Sequence, residues 1–251
     1  MLLEDATLLI AEDEPILLQI MAEWFERTGC RVLLAENGAD ALQKIATEQI
    51  DAVVSDVVMP LMDGVSMLRH IKALGHYKPS VIFISGFHDI SPREYFDLGV
   101  EAVLSKPFDR EQLLTSVQRL LTDRAELWAV PAENERAPTL RVEFGSVPYA
   151  MYDGLISFGR GGFCIRSRFA LQGVDVRLDI DFASGSKTIT GDGVVRWYEP
   201  RERLLGIEIT YLNASCRDWV CQLSALNPTM SFIPANTYGL AKVRSASQLA
   251  S

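Results

Sequence analysis

Asp56 closes an apolar run, Ala52-Val53-Val54-Ser55, and is followed by Val57-Val58-Met59-Pro60-Leu61-Met62-Asp63-Gly64. A carboxylate in that setting, with a proline and an Asp-Gly turn soon after, belongs at the C-terminal tip of a buried parallel strand. That is where open α/β sheets hold their ligands. Glu12-Asp13, Ser85-Gly86 and Lys106-Pro107 stand after the first, fourth and fifth apolar runs in the same way. The first and third strand ends flank the switch point of such a sheet, so Glu12, Asp13 and Asp56 should converge there. Three carboxylates in one pocket repel unless a cation neutralises them, and Mg²⁺ prefers oxygen ligands while keeping several waters. A metal-bound carboxylate beside a lysine ammonium can attack a phosphoryl donor, with metal and lysine stabilising charge on the equatorial oxygens. Ser85 offers a hydroxyl to the phosphoryl group once attached.

The elements that must position these groups follow from periodicity. Thr7–Ala11, Arg31–Ala35, Ala52–Ser55, Ser80–Ser85 and Ala102–Ser105 read as five buried strands. Segments with helical spacing, such as Ile16-Leu17-Ile20-Met21-Trp24-Phe25, lie between them. Ser91-Pro92 gives an N-cap with proline at the first helical position, and Asp109 with Gln112 resembles a capping box. Five βα units in a row predict an α/β doubly wound, five-stranded parallel sheet over residues 1–127.

From about residue 139 the period changes to two. Val174, Val176, Leu178, Ile180 and Phe182 alternate with Asp175, Arg177, Asp179 and Asp181, which is a half-buried antiparallel strand. Further strands are expected at 139–145, 150–159, 162–168, 188–198 and 204–212, with a closing helix from Ala214 to Leu226. Six short strands with turn signals predict an antiparallel six-stranded β-barrel with its C-terminal helix over 139–227. Pro131, Glu133, Glu135 and Pro138 mark 128–138 as a linker, and the tail 228–251 carries no clear pattern.

Composition narrows the function classes. The chain has 251 residues, 48% of them hydrophobic, which suffices for two ordinary domains. Its apolar runs fall far short of a membrane span, and Glu4 and Asp5 replace the basic start of a secretory signal. Cys30, Cys164, Cys216 and Cys221 show no metal-ligand spacing and read as reduced thiols, so a cytoplasmic location is expected. The net charge of −9 is uneven. Residues 1–127 carry 11 Lys+Arg against 21 Asp+Glu, and residues 128–251 carry 13 against 12, with 11 of the 13 being arginine. An acidic first half without a basic recognition helix argues against nucleic acid. The arginines of the second half suit a small phosphate ligand or a solvated mixed-charge surface.

Residues 5–125, on Asp56, Glu12-Asp13, Ser85 and Lys106-Pro107, resemble the receiver domain of two-component response regulators. The resemblance implies Asp56 as phospho-acceptor, and Mg²⁺ bound by Asp13, Asp56 and the Val58 carbonyl with Glu12 as a further acidic partner. It implies Lys106 and Ser85 as phosphoryl contacts, a cis Lys106-Pro107 bond, and a histidine kinase or phosphotransfer protein as donor. One position departs: the family's switch aromatic, three residues before the lysine, is Val103 here. Phosphorylation should then signal weakly, or through repacking of the fourth helix and fifth strand. Val58 and Phe87 sit where side chains tune water access, and both are apolar, so a long-lived phosphoryl group is expected. Leu113, Leu114, Val117, Leu120 and Leu121 form an apolar helix face, for a homodimer, an interdomain contact or ordinary packing on the sheet.

The second half resembles PilZ domains, six-stranded barrels best known as cyclic diguanylate receptors. The resemblance rests on Ile156-Ser157-Phe158-Gly159-Arg160-Gly161-Gly162-Phe163, Leu171-Gln172-Gly173, Gly193-Val194-Val195-Arg196-Trp197 and Leu205-Gly206-Ile207-Glu208-Ile209. Family binding motifs are altered: Arg136 and Arg141 have four residues between them rather than three, Leu155 replaces an Asp/Asn, and Arg160 precedes Gly161 where a glycine belongs. Losing a polar partner to guanine costs about 1–3 kcal/mol per contact. Two readings stand. In one the barrel is a protein-interaction module with lost or weakened cyclic diguanylate binding and a downstream protein partner. In the other Arg136, Arg141, Ser157, Arg160 and Gly161 still hold the dinucleotide, and the chain is a dual-input sensor. No Ser/His/Cys constellation supports an enzyme; His70, His76 and His88 all lie in the first half.

Overall fold

The computed structural model describes residues 1–73, 79–86, 91–131, 137–167, 170–183 and 185–226. His76, Phe87, His88, Arg136 and the tail beyond Pro228 lie outside the described residues.

Two sheets of different construction share the chain. The first has strands β1 (Thr7–Ala11), β2 (Arg31–Ala35), β3 (Ala52–Asp56), β4 (Ser80–Ser85) and β5 (Ala102–Ser105), all parallel, in the order β2-β1-β3-β4-β5. Every residue of β3 is buried, as a strand covered on both faces requires. Helices α1 (Pro15–Glu26) and α5 (Arg110–Leu121) cover one face through Leu18, Met21, Phe25, Leu113 and Val117. Helices α2 (Gly38–Thr47), α3 (Gly64–Ala73) and α4 (Pro92–Leu98) cover the other through Ala41, Met67, Ile71 and Tyr95. This is the predicted doubly wound fold. Local chemistry sets the helix starts: Asn37 caps α2, and Ser91–Glu94 and Asp109–Gln112 form complete capping boxes on α4 and α5.

The chain then turns through the short α6 (Arg124–Leu127), capped by Asp123. Trp128, predicted to open the linker, is instead buried in the second core, and its carbonyl accepts the Leu212 N–H at 2.9 Å. The second sheet comprises β6 (Thr139–Phe144), β7 (Ile156–Gly159), β8 (Gly162–Arg166), β9 (Val174–Phe182), β10 (Lys187–Glu199) and β11 (Leu204–Leu212), with helix α7 (Val147–Tyr152) and the closing helix α8 (Ala214–Leu226). Its order is β6-β9-β10-β11-β8-β7.

Two features correct the sequence reading. The sheet is not wholly antiparallel: β6 pairs parallel with β9, a pairing made possible by the long crossover through α7, β7 and β8. It is a curled, mixed half-barrel, and β6 and β7 have no further strand partner among the described residues. The strand expected at 150–159 begins only at Ile156: residues 147–152 are helical because the Ser146 hydroxyl caps the backbone of Tyr149 and Pro148 stands in the first turn.

The two units pack against each other through α4, the loop before β5, and α5. Phe96 of α4 lies edge-on to Trp197 of β10, with ring centroids 6.1 Å apart, in a buried cluster with Cys164 and Leu204. Gly206 makes this possible, since a Cβ there would stand 1.9 Å from the Trp197 ring. Arg93 donates to the Cys164 sulfur at 3.3 Å. Glu208, wholly buried on β11, pairs with Arg119 of α5 and with Arg196 of β10, the latter at 2.6 Å. Glu101, also wholly buried, pairs with Arg160 from the β7–β8 turn, which further donates to the Gly99 carbonyl at 3.0 Å. The apolar residues of α5 mostly pack onto their own sheet, leaving Arg119 to face the second unit.

Lys72, at the end of α3, has no hydrogen-bond partner for its buried ammonium among the described residues. Burial, reinforced by the nearby Arg160 charge, lowers it from 10.5 to about 8. Below pH 8 the folded chain holds a charge that water would hold more cheaply. Between 8 and 10.5 the unfolded chain binds more protons, so folding stability contributed by this group rises with pH. Lys72→Met should therefore stabilise the protein at pH 7 by about 1–3 kcal/mol. That advantage should shrink as denaturant titrations are repeated up to pH 10.

Candidate functional site

The C-terminal ends of β1, β3 and β5 bring four charged side chains together. Glu12 and Asp13 follow β1, Asp56 ends β3, and Lys106 follows β5. Glu12 is 1% exposed and Asp56 8%, whereas Asp13 is exposed. The three carboxylates each place an oxygen within 4.8 Å of the others. Lys106 Nζ lies between two of them, 3.0 Å from Glu12 Oε2 and 2.5 Å from Asp56 Oδ2.

The backbone fixes this arrangement at each residue. The Val58 N–H donates to Asp56 Oδ1 at 3.0 Å, so both oxygens of Asp56 are held. Gly64, which opens α3, passes so close that a Cβ would lie 2.4 Å from the Asp56 carbonyl oxygen; this is what the Asp-Gly sequence supplies. The Lys106 N–H donates to the Ser85 carbonyl at 2.8 Å, and the Lys106–Pro107 bond is cis, as the resemblance implied. Ser85 is buried at the end of the neighbouring strand.

Electrostatics follow from this geometry. Burial pushes the Glu12 carboxyl above its ordinary value and the Asp56 charge adds to the push, while the Lys106 hydrogen bond opposes it. Burial works against the Lys106 charge, but its hydrogen bonds to Asp56 and Glu12 outweigh that and hold it raised. A pocket with more carboxylates than ammonium groups suits a hard divalent cation, and the three clustered oxygens fit the donor set that Mg²⁺ prefers.

Residues 8–118 match the family model described as response regulator receiver domain. The N-terminal unit is a receiver domain, a class of signalling module rather than of metabolic enzyme. The chain is 34% identical over 122 residues to the uncharacterized transcriptional regulatory protein YesN of Bacillus subtilis, covering 46% of this chain and 32% of that protein. It is 33% identical over 100 residues to the Regulator of RpoS of Escherichia coli K12, covering 40% and 30% respectively. The chain thus spans about a third of the length of these relatives. It is also similar to the receiver domain of Francisella response regulator 1452, at 30% identity and a TM-score of 0.44, over 46% of this chain and 96% of that one.

The receiver residues expected to act together stand together: Glu12, Asp13, Asp56 and Lys106 meet, and Val58 and Ser85 border them. Of the residues expected to hold a dinucleotide, Arg136 lies outside the described residues, and the two described arginines are engaged by carboxylates. Arg141, on β6, is paired with Asp179 of β9 at 2.7 Å, and Arg160 is turned to Glu101 and Gly99 of the receiver. Ser157 is half-buried on edge strand β7, and the carbonyl of buried Gly161 is taken by the Ile209 N–H. No helix among the described residues is long and apolar enough to cross a membrane.

Periodicity did not reveal the domain-joining carboxylates. Glu101 stands alone before an apolar run and Glu208 interrupts one, and a lone charge inside an apolar run is the signal that could have marked both.

Lys106→Met should remove the only ammonium paired with Glu12 and Asp56 among the described residues. In metal-free buffer the variant should lose about 1–3 kcal/mol of stability, because two facing buried carboxylates lose their counter-charge. Added Mg²⁺ should recover much of the loss, and thermal melts with and without chelator measure both effects.

Proposed function

We propose that this chain is a two-component response regulator in which phosphorylation of Asp56 controls a PilZ-like output unit that acts as a protein-interaction module. The observation that carries the receiver half is the Lys106 ammonium bridging Glu12 and Asp56 beside Asp13. Asp56 is the nucleophile: one carboxylate oxygen forms a bond to the phosphorus of a phosphohistidine, or of a small acyl phosphate, as the bond to the donor breaks. Lys106 then shifts from the carboxylate to the new phosphoryl oxygens, and the Ser85 hydroxyl approaches them. Glu12, Asp13, Asp56 and the Val58 carbonyl would hold Mg²⁺, which supplies charge neutralisation at the transferred group. A histidine kinase or phosphotransfer protein is the donor partner.

Helix α4 offers the route to the output. Val103 is buried where the receiver family carries its aromatic. The ring on that side of the core is Tyr95 of α4, which stands edge-on to Phe83 with centroids 6.1 Å apart. The next residue, Phe96, packs on Trp197 of the second unit. One turn of helix therefore touches the receiver core with one side chain and the output unit with its neighbour. Any shift of α4 that follows phosphorylation biases the packing at Trp197.

The nucleotide alternative is disfavoured by the engagement of Arg141 and Arg160 in ion pairs. Calorimetric titration of cyclic diguanylate should give no binding heat, with or without beryllofluoride and Mg²⁺; saturable binding lost in Arg141→Ala would establish the dual-input sensor instead.

Acetyl phosphate with Mg²⁺ should phosphorylate the wild-type chain and leave Asp56→Asn unlabelled by intact-mass spectrometry. In the same samples, beryllofluoride should change tryptophan fluorescence in the wild type, and Phe96→Ala should suppress that change while still binding beryllofluoride. Labelling that persists in Asp56→Asn would overturn the assignment of the acceptor.

A further inference from the structure

Cys164, Gly206 and Trp197 stand opposite one another across β8, β11 and β10. Their strand neighbours Phe163, Ile165 and Ile207 belong to the core of the second unit, whereas Cys164 and Trp197 join Leu204 in a separate cluster on the other face of the sheet. A bulge creates this patch. The register of β10 against β11 shifts between Val195 and Trp197, so Val195 points into the core and Trp197, two positions later, points out. The outer face of a sheet that covers a core is ordinarily polar and solvated. Here it carries a tryptophan whose ring lies against Gly206, and such a patch needs a cover.

The receiver supplies that cover, and supplies it imperfectly. Phe96 is the one receiver residue in the buried cluster, and Arg93 adds its bond to the Cys164 sulfur. The Trp197 Nε1–H is buried without an acceptor among the described residues. Glu101, five positions after Phe96, matches the charge of Arg160, yet the Nε–H and Nη1–H groups of that arginine also find no acceptor among the described residues. Each buried donor left in this way costs about 1–3 kcal/mol. The receiver therefore fits the shape and charge of the surface but leaves some of its hydrogen bonds unmade. Tryptophan and arginine are also the side chains on which protein–protein contacts most often depend.

We propose that this outer patch is the docking surface of the second unit for its downstream protein, and that the Phe96–Glu101 segment of the receiver occupies it as an internal competitor. The proposal rests on the reading of the second unit as a protein-interaction module. The present occupant defines the chemistry of the partner: a short helix with an aromatic side chain for Trp197 and Leu204, then a carboxylate for Arg160. Carbonyl or carboxylate oxygens that reach the unmatched donors give the partner an advantage over the receiver. The joint makes the competition effective. Only Thr122 and Asp123 separate α5 from α6, whose Leu127 packs with Trp128 on the second core. A segment tethered so closely acts at an effective concentration of roughly millimolar, so a separate protein binds well only where the internal contact is loosened.

The buried Cys164 thiol reports whether the patch is covered. N-ethylmaleimide is applied to the folded full chain, and modification at each cysteine is located by peptide mass spectrometry. Cys164 should react at least tenfold faster in Phe96→Ala and in Phe96→Asp than in the wild type, while buried Cys30 and Cys216 keep their rates. A fluorescein-labelled peptide with the sequence of residues 91–102 is the docking probe. Fluorescence anisotropy should show saturable binding to the uncovered variants, at least tenfold tighter than to the wild type. Bound peptide should slow the modification of Cys164, and the same peptide carrying Phe96→Ala should bind at least tenfold more weakly. A Cys164 rate unchanged in both variants would show that the receiver is not the cover and would overturn the proposal. So would a reactive Cys164 without peptide binding, or binding that leaves Cys164 unprotected. The cyclic diguanylate titration tests the underlying reading separately. Dinucleotide binding lost in Arg141→Ala removes the interaction-module reading, whereas silence there together with failure of the peptide removes this surface alone.

Discussion

The Lys106 ammonium, set between two carboxylates that are nearly out of water, is the interaction on which the receiver depends. Ionised Glu12 and Asp56 could not share this pocket in a dry interior without a positive neighbour, since desolvation and mutual repulsion both raise the energy of the pair. One ammonium cannot fully neutralise Glu12, Asp13 and Asp56 together. The residual negative charge suits the pocket to a cation, and in the function proposed for this chain the same imbalance favours Asp56 as the nucleophile over a purely structural ion-pair role. The proposed phosphoryl transfer would move Lys106 away from Asp56 and so disturb an arrangement that the end of β5 holds in place through the backbone bond from Lys106 to Ser85.

β5 ties that pocket to the rest of the molecule. Four residues long, it is bounded at one end by Glu101 and at the other by Lys106, about 17 Å apart at the rise of an extended strand. At the Lys106 end the charge bridges Glu12 and Asp56, the pair to which phosphoryl chemistry is proposed. At the Glu101 end the charge grips Arg160 of the second unit. A stiff strand carrying one partner of each ion pair couples their geometry without any need for a relay of side-chain motions, and α4, packed alongside, adds the Tyr95 and Phe96 contacts. Val103, buried on that face, leaves the ring contact there to Phe83 of β4 and Tyr95 of α4.

The receiver was legible because its signals are redundant. Four of the five strands run into a chemically distinctive residue (Glu12, Asp56, Ser85 or Lys106), α2, α4 and α5 begin with capping side chains, and burial on both faces makes the central strands continuous apolar runs. Asp56 with Gly64 was readable for the same reason, since close approach of backbone to carbonyl demands glycine. The second unit was less legible because its information is less local. Alternation in 174–182 located β9, but nothing in that alternation says that β6 will lie beside it in parallel; that depends on where a long crossover returns. The error at 150–155 was a matter of competing local signals, in which Ser146 and Pro148 outweighed the apolar residues that follow. Trp128 was assigned to a linker by its polar and proline-rich neighbours, although a large aromatic is the side chain a small core most readily recruits.

Arg160 shows why a residue's type alone does not reveal its partner. Read beside Gly161 it belongs to a nucleotide-binding turn, and the turn is where the sequence places it. The partner it finds is a glutamate from the other unit, a relation that spans 59 positions and leaves no periodic trace. Burying a guanidinium and a carboxylate costs several kcal/mol of desolvation per ion, and their attraction roughly offsets this when the remaining donors are satisfied. Here two of the Arg160 nitrogens find no partner among the described residues. An interface built on incompletely satisfied ion pairs contributes little net stability, so a modest free energy supplied at either end of β5 is enough to shift it. Tight apolar packing across the whole contact would have locked the two units together. Its confinement to the small cluster around Phe96 and Trp197 leaves the balance of the interface to charges.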